Sequence, residues 1–220
     1  MTKDSFAINA RNKVKRGHKR AAYNKDTVYS ILDSHFLCHV AFEVGGEPHI
    51  IPTSHWREGN KLYWHGSSKS FMIKHLSAGN PAAVSVTQLD GLVLARSAFS
   101  TSVNYRSAIC YGTPQLVTDD AVFNYQMERF FEALAPGRWP QLRTMTATER
   151  KATGLLEMDI EGAAAKVRAD PPGDSDEADY PVWAGVVPME MVVRDPVEAP
   201  EGARAPITDD LLSSFDWPNS

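Results

Sequence analysis

One stretch of the chain carries residue types that together suit a phosphate group: residues 62–76 read LYWHGSSKSFMIKHL. Its first three residues favour a β-strand, and the glycine and serines that follow let the backbone turn closely into a helix. Ser67 or Ser68 is predicted to cap that helix. Free N–H groups at the helix start, two hydroxyls and Lys69 would converge on one point and suit a dianionic phosphate. This segment alone leaves a capped surface helix as an alternative, because short Gly/Ser motifs often match by chance. The apolar stripe of the helix would be Phe71, Met72 and Leu76.

The elements that would position this turn follow from hydrophobic periodicity and turn residues. A short helix is predicted over residues 26–34, because apolar residues fall at helical spacing after Asp26. Three strands then form an antiparallel meander through a Gly-Gly turn at 45–46 and a Gly-Asn turn at 59–60. These strands are residues 36–44, 48–56 and 61–65.

The second half of the chain continues the β pattern. Asp90 and Gly91 form a hairpin signal between strands at 82–89 and 92–99. A long helix should begin at Asp119 or Asp120, and Thr146 with Glu149 makes the capping box of a short helix. The other predicted elements are strands at 106–117, 155–160, 164–167 and 182–193, and a short helix near 209–214.

Antiparallel strands joined in hairpins, with few helices between them, favour a closed or nearly closed β-barrel over a doubly wound sheet. The chain has no GxGxxG after a first strand, no Walker A sequence and no GxSxG elbow. These absences argue against a dinucleotide-binding fold, a P-loop NTPase and an α/β-hydrolase. The predicted fold class is therefore mainly β, a barrel with flanking helices.

The composition is that of an ordinary globular protein: 220 residues with 43% apolar and 23% charged residues. This length allows one sizeable core, and no window approaches the roughly 18 apolar residues that suggest a membrane span. The first twenty residues contain no apolar stretch typical of a secretory signal. We therefore expect a cytoplasmic location and no membrane partner.

The net charge of −4 is unevenly distributed. Residues 1–25 form a basic arm, residues 26–195 the predicted barrel domain, and residues 196–220 a tail within the acidic last part of the chain. The arm lacks interleaved aromatic residues and any known nucleic-acid-binding module, so no nucleic-acid partner is predicted. A lid or a dimer contact is the role we consider for it.

Neither the cysteines nor the histidines suggest a metal site. Cys38 and Cys110 are far apart without a CxxC pair, which favours buried thiols in strands. His35 and His39 are four residues apart, but they straddle a predicted transition from helix to strand. No metal site is predicted.

Five separated segments occur together in the order and spacing of one protein family. They are PHIIPTSHWREGNKLYWHGSSKSFMIKHL, TQLDGLVLARSAFSTSVNYRSAICYG, PGRWPQLRTMTATERKATGLL, AAAKVRADPPGD and PVWAGVVPM. With them the chain resembles the flavin-binding split-barrel superfamily of pyridoxamine 5′-phosphate oxidase. Within it the chain is most similar to the flavin-nucleotide-binding branch, which is similar to nitroimidazole-resistance proteins. The resemblance implies an FMN-binding split β-barrel, antiparallel and Greek-key-like.

The resemblance also implies a set of cofactor-binding residues. The oxidase grips the FMN phosphate with Ser-Arg-Lys where this chain has residues 67–69, so Lys69 should supply the charge and Ser67 a hydroxyl. Its preceding strand lines the flavin with backbone groups and a basic residue, for which this chain has Ser54. FMN is the expected cofactor, with FAD as the alternative. The implied residues are Ile51, Pro52, Thr53, Ser54, His65, Gly66, Ser67, Ser68, Lys69, Arg106, Ser107 and Trp183.

Three of these residues have alternative roles. His65, beside the phosphate turn, would touch the flavin or a substrate, or would hydrogen-bond a turn. Arg106 would donate to the pyrimidine end of the flavin or to phosphate, unless a structural ion pair engages it. Trp183 matches a tryptophan that contacts flavin from the partner subunit, which implies a homodimer with the flavin at the interface.

The resemblance argues against pyridoxamine phosphate as the substrate. The oxidase follows its tryptophan with an Arg and a His that hold the substrate, whereas this chain has residues 186–189, VVPM. We expect a flavin-dependent oxidoreductase acting on an unidentified small molecule, with a nicotinamide as a candidate electron donor and no catalytic residue assigned. The alternatives are a non-catalytic flavin carrier or sensor, and a haem-binding split barrel with His65 or His49 as an axial ligand.

Overall fold

The computed structural model describes residues 4–202 and residue 207. The helix predicted near residues 209–214 lies outside these residues. The strands are β1 (Ala21–Ala22), β2 (Leu37–Val44), β3 (Glu47–Glu58), β4 (Lys61–Ser67), β5 (Ala82–Leu94), β6 (Ser102–Gly112), β7 (Gln115–Leu116), β8 (Thr153–Asp159), β9 (Gly162–Arg168) and β10 (Gly185–Pro188). The α-helices are α1 (Lys25–Asp33), α2 (Phe71–Leu76), α3 (Asp120–Leu134) and α4 (Ala147–Ala152).

The strands form two antiparallel sheets that share β3. The first sheet has the order β1-β9-β6-β5-β2-β3, and the second continues from β3 through β4 and β8 to β7. The same edge of β5 pairs with β2 near one end and with β10 near the other. The turn between β8 and β9 joins the sheets, where the N–H of Glu161 donates to the carbonyl of Tyr111 at 3.0 Å. The predicted mainly β class with flanking helices is confirmed.

The core lies between the two sheets. Successive side chains of a strand point to opposite faces, so alternate residues such as Val40, Leu62 and Trp64 are fully buried. Apolar residues of α1 and α2 complete this core, whereas α3 packs outside it against Trp56 and Tyr63. Cys38 and Cys110 are buried free thiols, as predicted.

The described part of the basic arm packs on the barrel. Phe6 belongs to the core, and the side chain of Asn12 donates to the carbonyl of Ala163 on β9 at 3.2 Å. Strand β1, also within the arm, pairs with β9. The division of the chain at residues 25 and 196 stays a prediction.

Asp90 and Gly91 do not form the predicted hairpin. Strand β5 runs through both residues with a bulge between Leu89 and Gly91, and the chain reverses only after Leu94. A Cβ atom on Gly91 would lie 2.9 Å from the carbonyl oxygen of Val187, so glycine at this position lets β10 approach β5.

Two other predicted strands are shorter than expected. The strand at 106–117 divides into β6 and β7, because Pro114 between them has no N–H for the ladder. The strand at 182–193 is reduced to β10. Among the described residues, no helix has the length and apolar character needed to cross a membrane.

Candidate functional site

The predicted cofactor residues on β3 and β4 lie on either side of the point where these two strands separate. Strand β3 pairs with β4 only from His55 to Glu58, and the last paired rung joins His55 to Trp64. Beyond it β3 continues along β2, while β4 continues along β8. We call the resulting gap the β3–β4 opening, and define it by residues 51–54 on one side and residues 65–69 on the other. It leaves one backbone edge of residues 51–54 without a strand partner among the described residues.

The turn at the end of β4 differs in one respect from the prediction. Ser70, rather than Ser67 or Ser68, caps α2, and its side chain accepts from the N–H of Ile73. The helix has only six residues, and Phe71 is half exposed while Met72 and Ile73 are buried. Local sequence did not decide which of three neighbouring serines is the cap, because all three are suitable N-cap residues.

The turn at the end of β4 carries Ser67, Ser68 and Lys69. These residues differ in how many of their polar groups already have hydrogen-bond partners within the protein. The Ser68 hydroxyl donates to the carbonyl of Lys151 at 2.9 Å, and its N–H donates to the carbonyl of Ala152 at 2.8 Å. Ser67 is exposed, and its Oγ accepts from the N–H of Lys69 at 3.3 Å. The Lys69 side chain is exposed and has no ion-pair partner among the described residues. Among these three residues, Ser67 and Lys69 are therefore the ones whose side chains are available to bind an anion.

Helix α4 holds this turn in place, which sequence reasoning did not foresee. The predicted capping box is present: Thr146 accepts from the N–H of Glu149, and Glu149 accepts from the N–H of Thr146. A hydrogen bond from the Arg143 guanidinium, assisted by the Thr146 N–H, lowers the pKa of Glu149 to about 2. The last carbonyls of the helix are those that bind Ser68. The capping box signalled the helix, but nothing local indicated its partner.

His65 faces away from the turn and towards α3. Its ring meets Phe130 edge-on at 4.8 Å between centroids and lies 6.1 Å from Trp56. Burial lowers the pKa of His65, and its Nδ1 is buried without a hydrogen-bond partner among the described residues. The neutral imidazole thus forms part of an aromatic cluster.

Arg106 and Ser107 lie apart from the β3–β4 opening. Strands β5, β2 and β3 separate β6 from β4 in the sheet order. The Arg106 guanidinium donates to both carboxylate oxygens of Asp90 at distances between 2.9 and 3.2 Å. The Ser107 hydroxyl lies 3.4 Å from the carbonyl of Lys166. The ion-pair alternative for Arg106 is present, and its flavin contact stays a prediction.

Trp183 is a large exposed aromatic residue. It is 64% exposed, and its ring covers Gly185, where a Cβ atom would lie 2.8 Å from the ring. The loop that carries Trp183 is anchored by the buried Asp174, which accepts from the N–H groups of Arg96 and Ser97. Residues 186–189 form and follow β10 without presenting a cationic or imidazole group.

A cleft of about 520 Å³ lies between α1, β3 and α3, and none of the predicted cofactor residues lines it. His55 stands at its wall, with both ring nitrogens near the carbonyl oxygens of Leu32 and Phe36. Burial lowers the pKa of His55 to about 4, outweighing the two carbonyl contacts that favour its charged form. The described residues contain no group of three or more His, Cys, Asp or Glu side chains suited to a metal ion.

Two solved structures are similar to this chain over almost its whole length. The flavocytochrome Anf3 from Azotobacter vinelandii is 39% identical, with a TM-score of 0.87 over 93% of this chain and 96% of that chain. The FAD and haem binding protein from Mycobacterium smegmatis is 35% identical, with a TM-score of 0.83 over 89% of this chain and 97% of that chain.

More distant matches agree on the fold. A putative 5-nitroimidazole antibiotic resistance protein from Bacteroides thetaiotaomicron is 18% identical, with a TM-score of 0.57 over 67% of this chain and 86% of that chain. No curated protein sequence matches the chain. The family model described as pyridoxamine 5′-phosphate oxidase matches residues 24–167. The split-barrel expectation is thereby confirmed, and the chain belongs to the pyridoxamine 5′-phosphate oxidase-related family of split barrels.

Proposed function

We propose that this protein binds a flavin nucleotide in the β3–β4 opening, carries a haem on the same chain, and works as a redox protein. The observation that carries the flavin proposal is the opening itself. On one side is a strand edge with no partner among the residues that the structure describes, and on the other are Ser67 and Lys69. The haem proposal rests on the two relatives that match nearly the whole chain, a flavocytochrome and an FAD and haem binding protein.

The residues of the opening fit the polar parts of a flavin nucleotide. The exposed Lys69 ammonium suits the phosphate charge, and the Ser67 hydroxyl can donate to a phosphate oxygen. Residues 51–54, whose second edge pairs with no strand in the described part of the chain, offer backbone groups to the hydrogen-bonding edge of the ring. A bound flavin supplies two-electron chemistry, while the protein supplies binding, orientation and exclusion of water.

Two resemblances point to different flavin nucleotides. The family implies FMN, whereas the Mycobacterium smegmatis relative is described as an FAD-binding protein. Acid extraction of the purified protein and chromatography of the released nucleotide distinguish the two. A protein that releases neither flavin after reconstitution would refute the proposal for the opening.

We propose a homodimer that completes the flavin site across the interface. An exposed Trp183 on an anchored loop and an Arg106 separated from the opening by strands β5 and β2 both suit residues that act on the partner's flavin. Trp183→Ala should then weaken flavin binding without unfolding the chain. Full flavin occupancy in a monomer, measured by light scattering after gel filtration, would exclude the shared site.

We propose electron transfer to or from an unidentified small molecule as the activity, with a nicotinamide as candidate donor. Residues 186–189 offer no Arg or His for pyridoxamine phosphate, so that substrate is not proposed. Anaerobic bleaching of the flavin by NADH or NADPH would support an oxidoreductase. Flavin that no nicotinamide reduces would favour a carrier or sensor. A cytoplasmic location stays a prediction from sequence.

The absorption spectrum of the purified protein, before and after reconstitution with flavin and haemin, tests the cofactor proposal directly. Visible flavin absorption together with a Soret band is the expected result. Flavin without a Soret band, even after haemin is added, would refute the haem half of the proposal. A Soret band without flavin would refute the flavin half.

A further inference from the structure

Two buried charged side chains hold the segment that carries Trp183. This segment, residues 169–184, connects β9 to β10, and we call it the β9–β10 loop. Arg168 is buried at its start and donates to the carbonyl of Asp170 at 3.2 Å, while Asp174 within the loop is only 3% exposed. Burying a charged group is costly unless hydrogen bonds or an opposite charge compensate for it. The loop therefore keeps its conformation through specific polar contacts rather than through apolar packing alone.

Asp174 joins the β9–β10 loop to the turn that follows β5. Its Oδ2 accepts from the N–H groups of Arg96 and Ser97 at 2.5 and 3.2 Å, and its Oδ1 lies 3.7 Å from Nη1 of Arg96. These two partners precede Asp174 by 78 and 77 residues in the chain. Hydrogen bonds in which the acceptor is ionised are stronger than those between neutral groups. Asp174 thus fixes the loop at one defined point on the barrel.

A series of backbone hydrogen bonds connects this point to Trp183. The carbonyl of Asp174 accepts from the N–H of Glu177 at 3.0 Å, and the carbonyl of Glu177 accepts from the N–H of Tyr180 at 3.0 Å. The carbonyl of Tyr180 in turn accepts from the N–H of Val182 at 2.7 Å. On the other side of Trp183, β10 begins two residues later and pairs with β5. The position of the indole is therefore set from both sides.

We propose that Asp174 is a positioning residue for Trp183, holding the exposed indole where the partner's flavin can bind against it. This assignment rests on the shared flavin site of the proposed function. Trp183 is 64% exposed, so burial of its own ring does not fix its orientation and the loop must do so. A side chain that is held in place before binding loses less conformational entropy when the ligand arrives. Loss of the Asp174 carboxylate should thus weaken flavin binding through Trp183.

A double-mutant cycle tests this assignment. The wild-type protein, Asp174→Ala, Trp183→Ala and the variant with both changes are freed of flavin and titrated with FMN and with FAD, and flavin fluorescence gives the dissociation constants. Urea unfolding of each variant shows whether it is folded. Asp174→Asn keeps an acceptor oxygen for the two N–H groups. Asp176→Ala is the matched control, because it removes an exposed carboxylate two residues further along the same loop.

The expected result is a loss of affinity that requires Trp183. Asp174→Ala should raise the dissociation constant by about 2- to 12-fold, the cost of ordering one side chain on binding, and should raise it no further in a chain that already carries Trp183→Ala. Residues that act through one another give non-additive effects, whereas independent structural effects add. Asp174→Asn and Asp176→Ala should bind flavin nearly as tightly as the wild-type protein does.

Three results would overturn the assignment while leaving the shared flavin site in place: wild-type affinity in Asp174→Ala, an equal loss in Asp176→Ala, or losses that add in the double variant. Asp174→Glu, which moves the carboxylate by one methylene, takes the place of Asp174→Ala if the latter does not fold. Unchanged affinity in Trp183→Ala would refute the shared site and this assignment with it. Wild-type protein that binds neither FMN nor FAD would remove the flavin function as well.

Discussion

Replacement of Lys69 by alanine tests the phosphate contact with little disturbance of the fold. The Lys69 side chain is exposed and has no ion-pair partner among the described residues. Substitutions at such surface positions change the free energy of unfolding by within about 0.5 kcal/mol. A change in flavin affinity larger than this would therefore report on the cofactor rather than on the folded chain.

The size of the effect follows from the kind of contact that Lys69 can make. A hydrogen bond to a charged group contributes about 1.5–3 kcal/mol, so Lys69→Ala should raise the flavin dissociation constant by about 10- to 150-fold. The effect should shrink at high salt, because an exposed charge pair is screened. A titration of flavin-free protein with FMN and with FAD, followed by flavin fluorescence, measures both quantities.

Lys74 supplies the matched control. It is also an exposed lysine, it lies on α2 only five residues further along, and it is outside the β3–β4 opening. Lys74→Ala removes the same charge and should leave the dissociation constant nearly unchanged. Equal weakening in the two variants would show that Lys69 acts only through general electrostatic attraction, and no weakening in Lys69→Ala would refute the phosphate-turn reasoning.

Three further predictions follow from packing and charge. Gly154→Ala should lower the free energy of unfolding by about 1–3 kcal/mol, because its Cβ would lie 2.5 Å from Cγ2 of the buried Ile73; an unchanged urea midpoint would contradict this. The depressed pKa of His55 means that the unfolded chain binds a proton which the folded chain does not, so stability should fall as pH drops from 6.5 to 4, by roughly 3 kcal/mol in total. An NMR titration midpoint of His55 near 6.5 would disprove it. Arg106→Ala should weaken flavin binding more than Asp90→Asn does, whereas equal losses would assign Arg106 a purely structural role in their partly buried ion pair.

Much of the fold was predictable because its signals are local. The meander from β2 to β4 and the capping box of Thr146 with Glu149 depend on residues within a few positions of each other. The error at Asp90 and Gly91 has the opposite origin. Asp-Gly is a strong turn signal, but pairing with the distant β10 keeps β5 extended through it.

The candidate site also has a part that local sequence predicts and a part that it does not. Ser67 and Lys69 were identifiable from residue type, spacing and family resemblance. The availability of each group was not, because it depends on partners far away in sequence. The capping box predicted α4, but only the folded chain shows that its last carbonyls engage Ser68.

The sequence by itself determined the antiparallel strands, the phosphate-like turn after β4 and the family to which the chain is similar, since caps, turns and alternation are encoded over short distances. Tertiary structure decided which groups remain free for a ligand. The Ser68 hydroxyl is hydrogen-bonded to a carbonyl 83 residues away, and Arg106 is separated from the turn. His75 and His49 pack against the same two phenylalanines, and Nε2 of His75 has no hydrogen-bond partner among the described residues. These outcomes depend on barrel closure, which brings together residues that no local pattern relates.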